Sequence, residues 1–517
     1  MSLPPSVSDA LLDQITAIVP ASGGDTWKLT EVYSGEVVTA LPQSTPDDVA
    51  AAFAQARKAQ ETWSQWPVRK RVKVFKKFFS LLVKHNDTIA DLIQVESGKA
   101  RRMAVEETVD PLMIMNYYLP RVEKLLRPIK RPGPIPFVST STEIRQPKGV
   151  VGIIAPWNFP FATGISDAIP ALLAGNGVVL KPDNKTALSP LYGVHLLYEA
   201  GLPKGLFQVV CGDGPVVGPP VIDHANYVMF TGSTQTGRFI GQRAGQNLIG
   251  ACLELGGKNP MLVLPDANLD EVVPGALDAV FRNTGQVCMH VERMYVHDSL
   301  YDSFRERFVA AVEDLRVGAA YDFTPEVGSL ISVDHKDRVS EHVADAVAKG
   351  ATVVTGGRER PDLGPAFFEP TILEGVTTDM LTGSCETFGP VVALHRYHSV
   401  DDAVRLANDT DYGLSASVWG TDLEAAARVG ARIQSGNVSI NEGFAAAYAS
   451  KGTPSGGVKQ SGVGARHGEQ GLLKYTDVQN LAVLKKQVMT APRDPEEYAK
   501  HRATSLKAMT IARKLGR

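Results

Sequence analysis

The chain has 517 residues, which exceeds the length at which one hydrophobic core keeps growing, so two or three structural units are expected. Hydrophobic residues make up 44% and charged residues 21% of the chain, which is typical of globular proteins rather than disordered or fibrous ones. The net charge of -3 excludes a general positive field, so neither nucleic acid nor an anionic membrane is predicted as a partner.

Local features of the sequence exclude further classes of protein. Residues 1–20 lack the basic and apolar stretches of a secretory signal, and no segment reaches the roughly 18 apolar residues of an integral membrane span. The four cysteines are widely spaced and indicate neither a disulfide framework nor a zinc site. We therefore predict a cytoplasmic protein without a metal, in which each thiol is either core filler or reagent.

Two amphipathic helices are the first clear elements along the chain. Thr45 can cap the first helix, which is predicted to begin at Pro46 and to run for about five turns. The second helix follows Pro67. Its many basic residues are predicted to form a solvated face rather than a nucleic-acid site, because the chain as a whole is acidic. These basic residues are Arg69, Lys70, Arg71, Lys73, Lys76 and Lys77.

Two extended segments are predicted to lie outside the main sheets. Residues 128–149 are rich in proline and then alternate in character from Phe137 onward, which predicts a projecting hairpin, and residues 474–485 are typical of a strand. Extended segments of this kind can form an interface between subunits. We expect an oligomerisation arm from residues 129–148 and 470–488, and a homodimer or homotetramer.

From Gly149 onward, short apolar runs alternate with helical stretches. Nearly continuous apolar strands separated by helices predict a parallel sheet covered on both faces. A second series of the same kind occupies about residues 259–441, so the fold class is α/β, with two doubly wound parallel-sheet domains in tandem. The runs of the first series are 150–154, 177–180, 206–210 and 227–230, and those of the second include 353–354, 391–394 and 438–440.

Cys288 is the first candidate for chemistry. A lone cysteine is more often core filler, since free cysteine is among the most buried residue types. Here Gly285 and Gln286 stand just upstream and indicate a turn where the backbone closely approaches another group, and such a turn could expose a thiol.

Two polar residues lie in apolar surroundings that suit catalysis. Glu254 stands between leucines before a glycine pair, where it is either a general base with a raised pKa or the partner of a cation such as Lys258. Asn158 is flanked by Pro156 and Pro160, and its fixed amide could donate to an oxyanion, although a polar turn residue is the alternative.

Residues 230–237 end one strand and open a helix. Free backbone N–H groups and the helix dipole at such a junction suit a pyrophosphate, with Gly232, Ser233 and Gly237 as candidates, although a capped glycine turn is common without any ligand. The glycines of residues 212–214 also follow a strand, but their spacing does not match the dinucleotide fingerprint.

Together these segments resemble the aldehyde dehydrogenase superfamily over about residues 30–485. The residues that carry the resemblance are five segments in the family's order. They are Pro156-Trp157-Asn158-Phe159-Pro160, Phe230-Thr231-Gly232-Ser233, Leu253-Glu254-Leu255-Gly256-Gly257-Lys258, Gly285-Gln286-Val287-Cys288 and Glu386-Thr387-Phe388-Gly389-Pro390.

The resemblance implies NAD(P)-dependent oxidation of an aldehyde to a carboxylic acid through an enzyme-bound thioester. It assigns Cys288 as nucleophile, Glu254 as the base that activates water, and Asn158 with the Cys288 backbone amide as oxyanion hole. A thiol hydrolase or acyltransferase without redox turnover and a non-catalytic structural protein are the alternatives. Retention of Glu254 disfavours a coenzyme-A-dependent acylating relative.

The resemblance also implies a cofactor site. It places Lys181 and Asn184 on the adenosine ribose, with Glu386 and Phe388 near the nicotinamide. Relatives that prefer NAD often have glutamate at the position of Asn184, where it would repel a 2′-phosphate, so NADP is favoured over NAD. The expected cofactor-binding residues are Trp157, Lys181, Asn184, Gly232, Ser233, Gly237, Glu386 and Phe388.

The predicted substrate rests on a single residue. Residues 281–286 are similar to the succinate-semialdehyde dehydrogenase branch, in which an arginine at the position of Arg282 pairs with the distal carboxylate. An ordinary structural ion pair is the alternative. A second arginine of that branch would fall near Ser166 and Asp167, and residues 441–454 look longer than usual, so a bulkier aliphatic or aromatic aldehyde is the second candidate.

We thus predict four regions along the chain. Residues 1–128 and 149–256 form the NAD(P)-binding domain, residues 257–455 form the catalytic domain, and the arm follows the bounds given above. Residues 489–517, beyond the resemblance, form a basic helical tail.

Overall fold

The computed structural model describes residues 2–133, 138–486 and 490–514. Across these ranges no helix has the length and apolar character needed to cross a lipid bilayer. The chain divides into two compact units, one formed by Met1–Leu125 with Pro147–Thr476 and the other by Leu126–Gln146 with Asp477–Arg517.

The strands, in chain order, are β1 (Thr26–Thr30), β2 (Val37–Pro42), β3 (Ile129–Pro132), β4 (Ser139–Pro147), β5 (Val150–Ile154), β6 (Gly177–Lys181), β7 (Phe207–Val209), β8 (Tyr227–Thr231), β9 (Gly250–Glu254), β10 (Asn259–Val263), β11 (Val291–His297), β12 (Thr352–Thr355), β13 (Thr371–Glu374), β14 (Val391–Tyr397), β15 (Ser415–Trp419), β16 (Asn437–Ile440), β17 (Gly462–Val463) and β18 (Thr476–Leu484).

The helices are α1 (Asp9–Thr16), α2 (Pro46–Ser64), α3 (Val68–Lys84), α4 (Asn86–Ser97), α5 (Arg101–Tyr118), α6 (Val122–Leu126), α7 (Ala168–Leu173), α8 (Leu188–Glu199), α9 (Gly214–His224), α10 (Thr234–Gln246), α11 (Leu269–Phe281), α12 (Asp298–Glu313), α13 (Val333–Ala348), α14 (Leu381–Ser384), α15 (Val400–Asn408), α16 (Leu423–Gly430), α17 (Ala445–Ala449), α18 (Gly468–Leu473) and α19 (Pro495–Lys514). A π-helical turn spans Ala162–Ser166, and short 3-10 turns span Asn184–Thr186, Arg282–Gly285 and Lys459–Ser461.

The two predicted N-terminal helices are α2 and α3. Thr45 caps α2 through a capping box with Asp48, as its sequence indicates. In α3 the predicted solvated basic face has one exception, since Arg71 is buried and this burial lowers its pKa to about 10. Helical periodicity turns Arg71 toward the same side as Val74 and Phe78, which are also buried.

The first predicted series of strands forms one sheet in the order β17-β9-β8-β5-β6-β7. The strands β9, β8, β5, β6 and β7 are parallel, and only the short β17 runs antiparallel, pairing Gly462 with Glu254. Because parallel strands share one direction, the segments that follow β5, β8 and β9 emerge at the same edge of this sheet.

The second series forms a sheet in the order β12-β13-β14-β11-β10-β15-β16, which is parallel except for the β12–β13 pair. Its core packs β10, β11 and β14 against α11 and α12, with Phe304 and Phe308 fully buried. The two parallel-sheet layers confirm the predicted α/β class. The boundary predicted after residue 256 falls between β9 and β10, and the division into two domains stays a proposal.

The smaller unit contains a three-stranded sheet in the order β18-β4-β3, together with α19. Strands β3 and β4 pair antiparallel, as expected for a hairpin, and Phe137 of that prediction lies outside the described residues. The strand predicted over residues 474–485 is β18, from Thr476 to Leu484, and residues 468–473 before it form α18 of the larger unit.

Candidate functional site

A cleft of about 200 Å³ opens at the edge of the first sheet where β5, β8 and β9 end. This is the edge at which parallel sheets bind ligands. Predicted site residues that line the cleft are Trp157, Asn158, Gly232, Ser233, Cys288, Glu386 and Phe388. Predicted site residues outside its lining are Glu254, Lys181, Asn184, Gly237 and Arg282.

Cys288 follows a turn whose backbone is fixed by three successive left-handed residues. Asn283, Thr284 and Gly285 have φ of 51°, 57° and 70°. For the two residues with a Cβ this conformation costs energy and persists only where the surroundings hold it. A Cβ on Gly285 would lie 2.0 Å from the carbonyl oxygen of Gly389, so this position requires glycine. The turn therefore presents Cys288 to the cleft in one defined orientation.

The surroundings of the Cys288 thiol disfavour its charged form. It is partly exposed at the cleft, but protein surrounds most of it. Burial raises the pKa of Cys288 to about 12, and the carboxylates of Glu386 and Glu254 add to the effect while Arg466 opposes it. Because the thiolate is the nucleophilic form, Cys288 must lose its proton in order to react.

Asn158 is buried and held from several sides. Its side-chain nitrogen donates to the Gln286 carbonyl at 3.0 Å, and since an amide nitrogen carries two N–H groups, the other can donate to a bound oxygen. Lys99 Nζ donates to the Asn158 carbonyl at 2.7 Å and to Glu107 at 2.5 Å. The other oxygen of Glu107 accepts the Phe161 N–H at 2.8 Å. This buried ion pair fixes the backbone from the Asn158 carbonyl to Phe161.

Glu254 is buried at the end of β9. The sequence also allowed an ion pair between Glu254 and Lys258, but these two residues do not pair. Instead, Arg466 Nη1 lies 3.7 Å from Glu254 Oε2, and the Cys252 thiol donates to Oε1 at 3.7 Å. Burial raises the pKa of Glu254, and the positive charge of Arg466 opposes that rise. A carboxyl group with a raised pKa suits a general base.

Lys258 pairs with Glu292 in the interior. Burial alone would raise the pKa of Glu292, but Lys258 and His290 outweigh it and lower this pKa to about 2. The Glu292 carboxylate accepts the N–H groups of Thr387 and Phe388, each at 3.0 Å. The pair thereby fixes the loop that carries Phe388, whose φ of 58° is left-handed.

Glu386 and Phe388 form one wall of the cleft. Glu386 Oε1 accepts the Gly257 N–H at 2.9 Å, and a Cβ on Gly256 would lie 2.4 Å from Glu386 Oε2, so glycine lets the carboxylate come this close. Burial raises the pKa of Glu386 to about 8. The Phe388 ring meets Trp157 edge to face, with ring centroids 5.3 Å apart.

Ser233 caps α10, and its side chain accepts the Thr236 N–H at 3.2 Å. Gly232 and Ser233 line the cleft at the helix start, where free backbone N–H groups favour a phosphate. Gly237 has a different environment. Its N–H donates to the Ser233 carbonyl at 2.9 Å, and a Cβ there would lie 2.4 Å from Leu255. Its lack of a side chain lets α10 pack closely on Leu255.

Lys181 and Asn184 lie at the end of β6, apart from this cleft. Asn184 Nδ2 donates to Gln43 at 2.9 Å, and Asn184 Oδ1 accepts the Gly212 N–H at 3.0 Å. The neutral amide is thus held by Gln43, which was not among the predicted residues, and by the loop at residues 212–214, whose spacing does not match the dinucleotide fingerprint. A dinucleotide needs a helix start for its pyrophosphate and polar and aromatic groups for its riboses and nicotinamide. The start of α10, the Glu386 carboxylate, the Phe388 ring and the neutral Asn184 amide are such groups, so the residues present fit NAD(P).

Arg282 forms ion pairs with two carboxylates. Its Nη2 lies 2.9 Å from Glu106 and its Nε 3.3 Å from Asp278. Its guanidinium carbon lies 5.7 Å from the centroid of the Phe444 ring. This geometry matches the ion-pair alternative that the sequence left open, because the arginine charge is already compensated.

Cys288 also packs against an apolar cluster. This cluster, here called the thiol cluster, contains residues brought from four segments of the chain. Its buried members are Val287, Met289, Leu414 and Phe444, and Phe159, Ala445 and Tyr448 pack against it.

Sequence reasoning missed Lys99, Glu107, Glu292, Asp167 and Arg466. Most of their partners lie far away along the chain, as Asp167 does from Arg466, so no local spacing connects them. Lys99 and Glu107 lie only eight residues apart, and for Lys99 a usable signal was its place shortly after the apolar-rich residues 89–95, since a charge there must find a partner.

Comparisons with known proteins agree with the arrangement. A family model described as the aldehyde dehydrogenase family matches residues 18–481. A protein of Mycolicibacterium smegmatis, provisionally named as an NADP(+)-dependent succinate-semialdehyde dehydrogenase, is 48% identical over 92% of this chain and 93% of its own. A glutarate-semialdehyde dehydrogenase of Pseudomonas aeruginosa is 35% identical over 90% and 96%. Among solved structures, betaine aldehyde dehydrogenase of Staphylococcus aureus in complex with NAD+ matches with a TM-score of 0.87 and 31% identity, covering 92% of this chain and 95% of that one.

Proposed function

The chain belongs to the aldehyde dehydrogenase family, and from this premise we propose that it oxidises an aldehyde to a carboxylic acid through a thioester on Cys288. The observation that carries the proposal is that Cys288 and Asn158 line the same cleft as Glu386 and Phe388. Nucleophile, oxyanion donor and proposed cofactor wall can therefore act on one aldehyde carbon.

The first step is addition of the thiol to the aldehyde. Cys288 releases its proton to solvent water in the cleft, its sulfur bonds to the carbonyl carbon, and the carbonyl oxygen becomes an oxyanion. The free N–H of the Asn158 amide and the Cys288 backbone amide would stabilise this oxyanion. The Lys99–Glu107 pair holds Asn158 so that little rearrangement is needed when the charge develops.

The cofactor would be held by residues of the first sheet. Gly232 and Ser233 at the start of α10 would bind the pyrophosphate, and Glu386, Phe388 and Trp157 would bind the nicotinamide end. NAD(P), when bound there, supplies the acceptor for the hydride that leaves the tetrahedral carbon. The neutral Asn184 amide together with Lys181 supports a preference for NADP, as does the name of the 48% identical relative.

The second step is hydrolysis of the thioester. Glu254 takes a proton from water, whose oxygen bonds to the thioester carbon, and the thioester carbonyl oxygen becomes an oxyanion that the Asn158 amide would stabilise. The carbon–sulfur bond then breaks, which releases the acid and returns the sulfur of Cys288. The raised pKa of Glu254 supports this role, because it makes the carboxylate a stronger base.

Succinate semialdehyde is the first candidate substrate. The relatives from M. smegmatis and P. aeruginosa are named for aldehydes that carry a distal carboxylate, and Arg282 is the cation that would pair with it. A bulkier apolar or aromatic aldehyde is the second candidate. It is favoured by the thiol cluster and by the two carboxylates that already neutralise Arg282.

The test is reduction of NADP or NAD by the purified protein with succinate semialdehyde, hexanal and benzaldehyde. We expect reduced nicotinamide with the wild type, a fall to background for Cys288→Ser and unchanged rates for Cys385→Ser, whose thiol is exposed elsewhere. Absence of reduction with every aldehyde would contradict the proposal. Ester hydrolysis without any nicotinamide reduction would instead indicate a thiol hydrolase.

We also propose that the three-stranded sheet of the smaller unit is an oligomerisation arm that produces a homodimer or homotetramer. Exposed apolar side chains of β18, including Val478 and Leu481, support this proposal. Sedimentation of the full chain tests it, and a monomer at micromolar concentration would contradict it.

A further inference from the structure

We propose that Arg466 is a positioning residue for Glu254, whose guanidinium, held back by Asp167, keeps the Glu254 carboxylate ionised and free to deprotonate water. This inference rests on the proposed role of Glu254 as the base in thioester hydrolysis. It concerns a residue outside every motif that carried the family resemblance.

The backbone brings Arg466 to Glu254. Strand β17 pairs antiparallel with β9, so that Gly462 lies opposite Glu254 and Val463 opposite Leu253. The chain then turns, and the Arg466 side chain reaches back to the buried end of β9, with Nη1 at 3.7 Å from Glu254 Oε2. The side chains of Arg466 and Glu254 are only 12% and 7% exposed, so water screens their interaction weakly.

Asp167 determines how closely Arg466 can approach. Arg466 donates to both carboxylate oxygens of Asp167, from Nε and Nη2, each at 2.9 Å, and Nη2 also donates to Thr231. This two-point pairing is the strong geometry for guanidinium and carboxylate. It fixes the guanidinium through Nε and Nη2, which leaves Nη1 facing Glu254 at 3.7 Å, beyond hydrogen-bond distance. Glu254 therefore receives the positive charge at longer range and retains lone pairs for water.

The charges that face Glu254 come from several elements. Burial raises the pKa of Glu254, Arg466 and Lys474 lower it, and Asp167 raises it. Cys252, on the same strand, donates its thiol to Glu254 Oε1 at 3.7 Å. Tyr227 of β8 and the proposed nucleophile Cys288 also interact with the Glu254 charge.

Opposite substitutions should move the protonation of Glu254 in opposite directions. Removing the positive charge in Arg466→Gln raises the pKa of Glu254, so the base is protonated, and hydrolysis lost, at a higher pH. Removing the negative charge in Asp167→Asn lowers it, so hydrolysis persists to a lower pH. A unit charge within 4–6 Å shifts a pKa by about one to three units, so the acid limb of Arg466→Gln should move up by about one pH unit or more. The acid limb of Asp167→Asn should move down by a smaller amount, because Asp167 affects the pKa of Glu254 less than Arg466 does.

The experiment uses p-nitrophenyl acetate, which acylates the thiol without any cofactor. The acetyl group bonds to sulfur as p-nitrophenolate leaves, and water then releases acetate, so the burst reports acylation and the steady state reports hydrolysis. Both are followed at the isosbestic wavelength of p-nitrophenol across the pH range. Arg466→Lys keeps the charge and should keep the wild-type limb. Arg305→Gln, which breaks an arginine–glutamate pair with Glu374 far from the cleft, is the matched control.

The outcomes separate this inference from the proposed function. If Glu254→Gln hydrolyses the acetyl-enzyme at the wild-type rate, the proposed base itself is wrong. If that variant is slow but the acid limbs of Arg466→Gln and Asp167→Asn coincide with the wild-type limb, the inference about Arg466 is overturned. Should Arg466→Gln not fold, Asp167→Asn alone decides, and an unmoved acid limb in that variant overturns the inference.

Discussion

The two sides of Cys288 are built in different ways. On the side proposed to bind the cofactor, Gly256 and Gly257 bring backbone next to the Glu386 carboxylate. On the side proposed to bind the substrate, the thiol cluster supplies apolar side chains, and Arg282 beside Phe444 is already paired with carboxylates. The first side is built from backbone and glycine and is encoded in contiguous motifs. The second side depends on side chains assembled from distant segments.

The largest effect is expected for substitution of Glu254, which lies at the end of β9 in the first sheet. Glu254→Gln keeps the shape but removes the base, so steady-state oxidation should fall by roughly 10²- to 10⁴-fold. The first turnover should still form about one reduced nicotinamide per subunit, and intact-protein mass spectrometry should detect the acyl-enzyme. Loss of that first turnover would assign Glu254 to deprotonation of Cys288 and would contradict its role in hydrolysis alone.

The next effect is on Asn158. Asn158→Ala removes one oxyanion donor, and we expect kcat to fall by roughly 10²- to 10³-fold with little change in the affinity for NADP. Stopped-flow measurement of the first turnover, together with NADP binding followed by protein fluorescence, checks both. An equal fall in affinity would show that Asn158 acts by shaping the cofactor cleft rather than as an oxyanion donor.

The features that the sequence could predict are those encoded in contiguous segments, and those that it could not predict join distant segments. The parallel strands and α2 could be predicted because their apolar runs and the Thr45 cap are local signals. Cys288 and Asn158 could be placed by motifs whose backbone geometry is local. The pairing of Arg466 with Asp167 spans 299 residues, and no local signal encodes it. For Arg282 the sequence allowed a structural ion pair, and Asp278 lies only four residues earlier, but its partner Glu106 comes from another helix and could not be predicted.

A smaller effect is expected for Asn184, which is proposed to lie at the adenosine ribose. Asn184→Glu introduces a carboxylate that would repel a 2′-phosphate, and Gln43 can rotate its amide to donate to the new side chain. The ratio of kcat/KM for NADP over NAD should fall by about tenfold. Asn184→Gln has the same length without the charge and is the matched control. A fall of the same size in both variants would attribute the preference to side-chain length.

The smallest effect is expected on the substrate side, for Arg282. Because Glu106 and Asp278 already compensate its charge, a substrate carboxylate must displace one of them, and the net gain is small. Arg282→Ala should raise KM for succinate semialdehyde by less than about tenfold and leave KM for hexanal unchanged. Steady-state kinetics with both aldehydes measure this, and a much larger, selective rise would show that Arg282 is a full carboxylate anchor.

Glu106→Gln tests the same comparison, because it removes one carboxylate that pairs with Arg282 and leaves the arginine in place. If the two carboxylates compete, this variant should increase kcat/KM for succinate semialdehyde a few-fold and leave hexanal unaffected. In the Arg282→Ala background the same substitution should have no effect, since there is no charge left to release. An increase that persists without Arg282 would mean that Glu106 repels the substrate directly, and the substrate side would then be selective through its carboxylates rather than through its arginine.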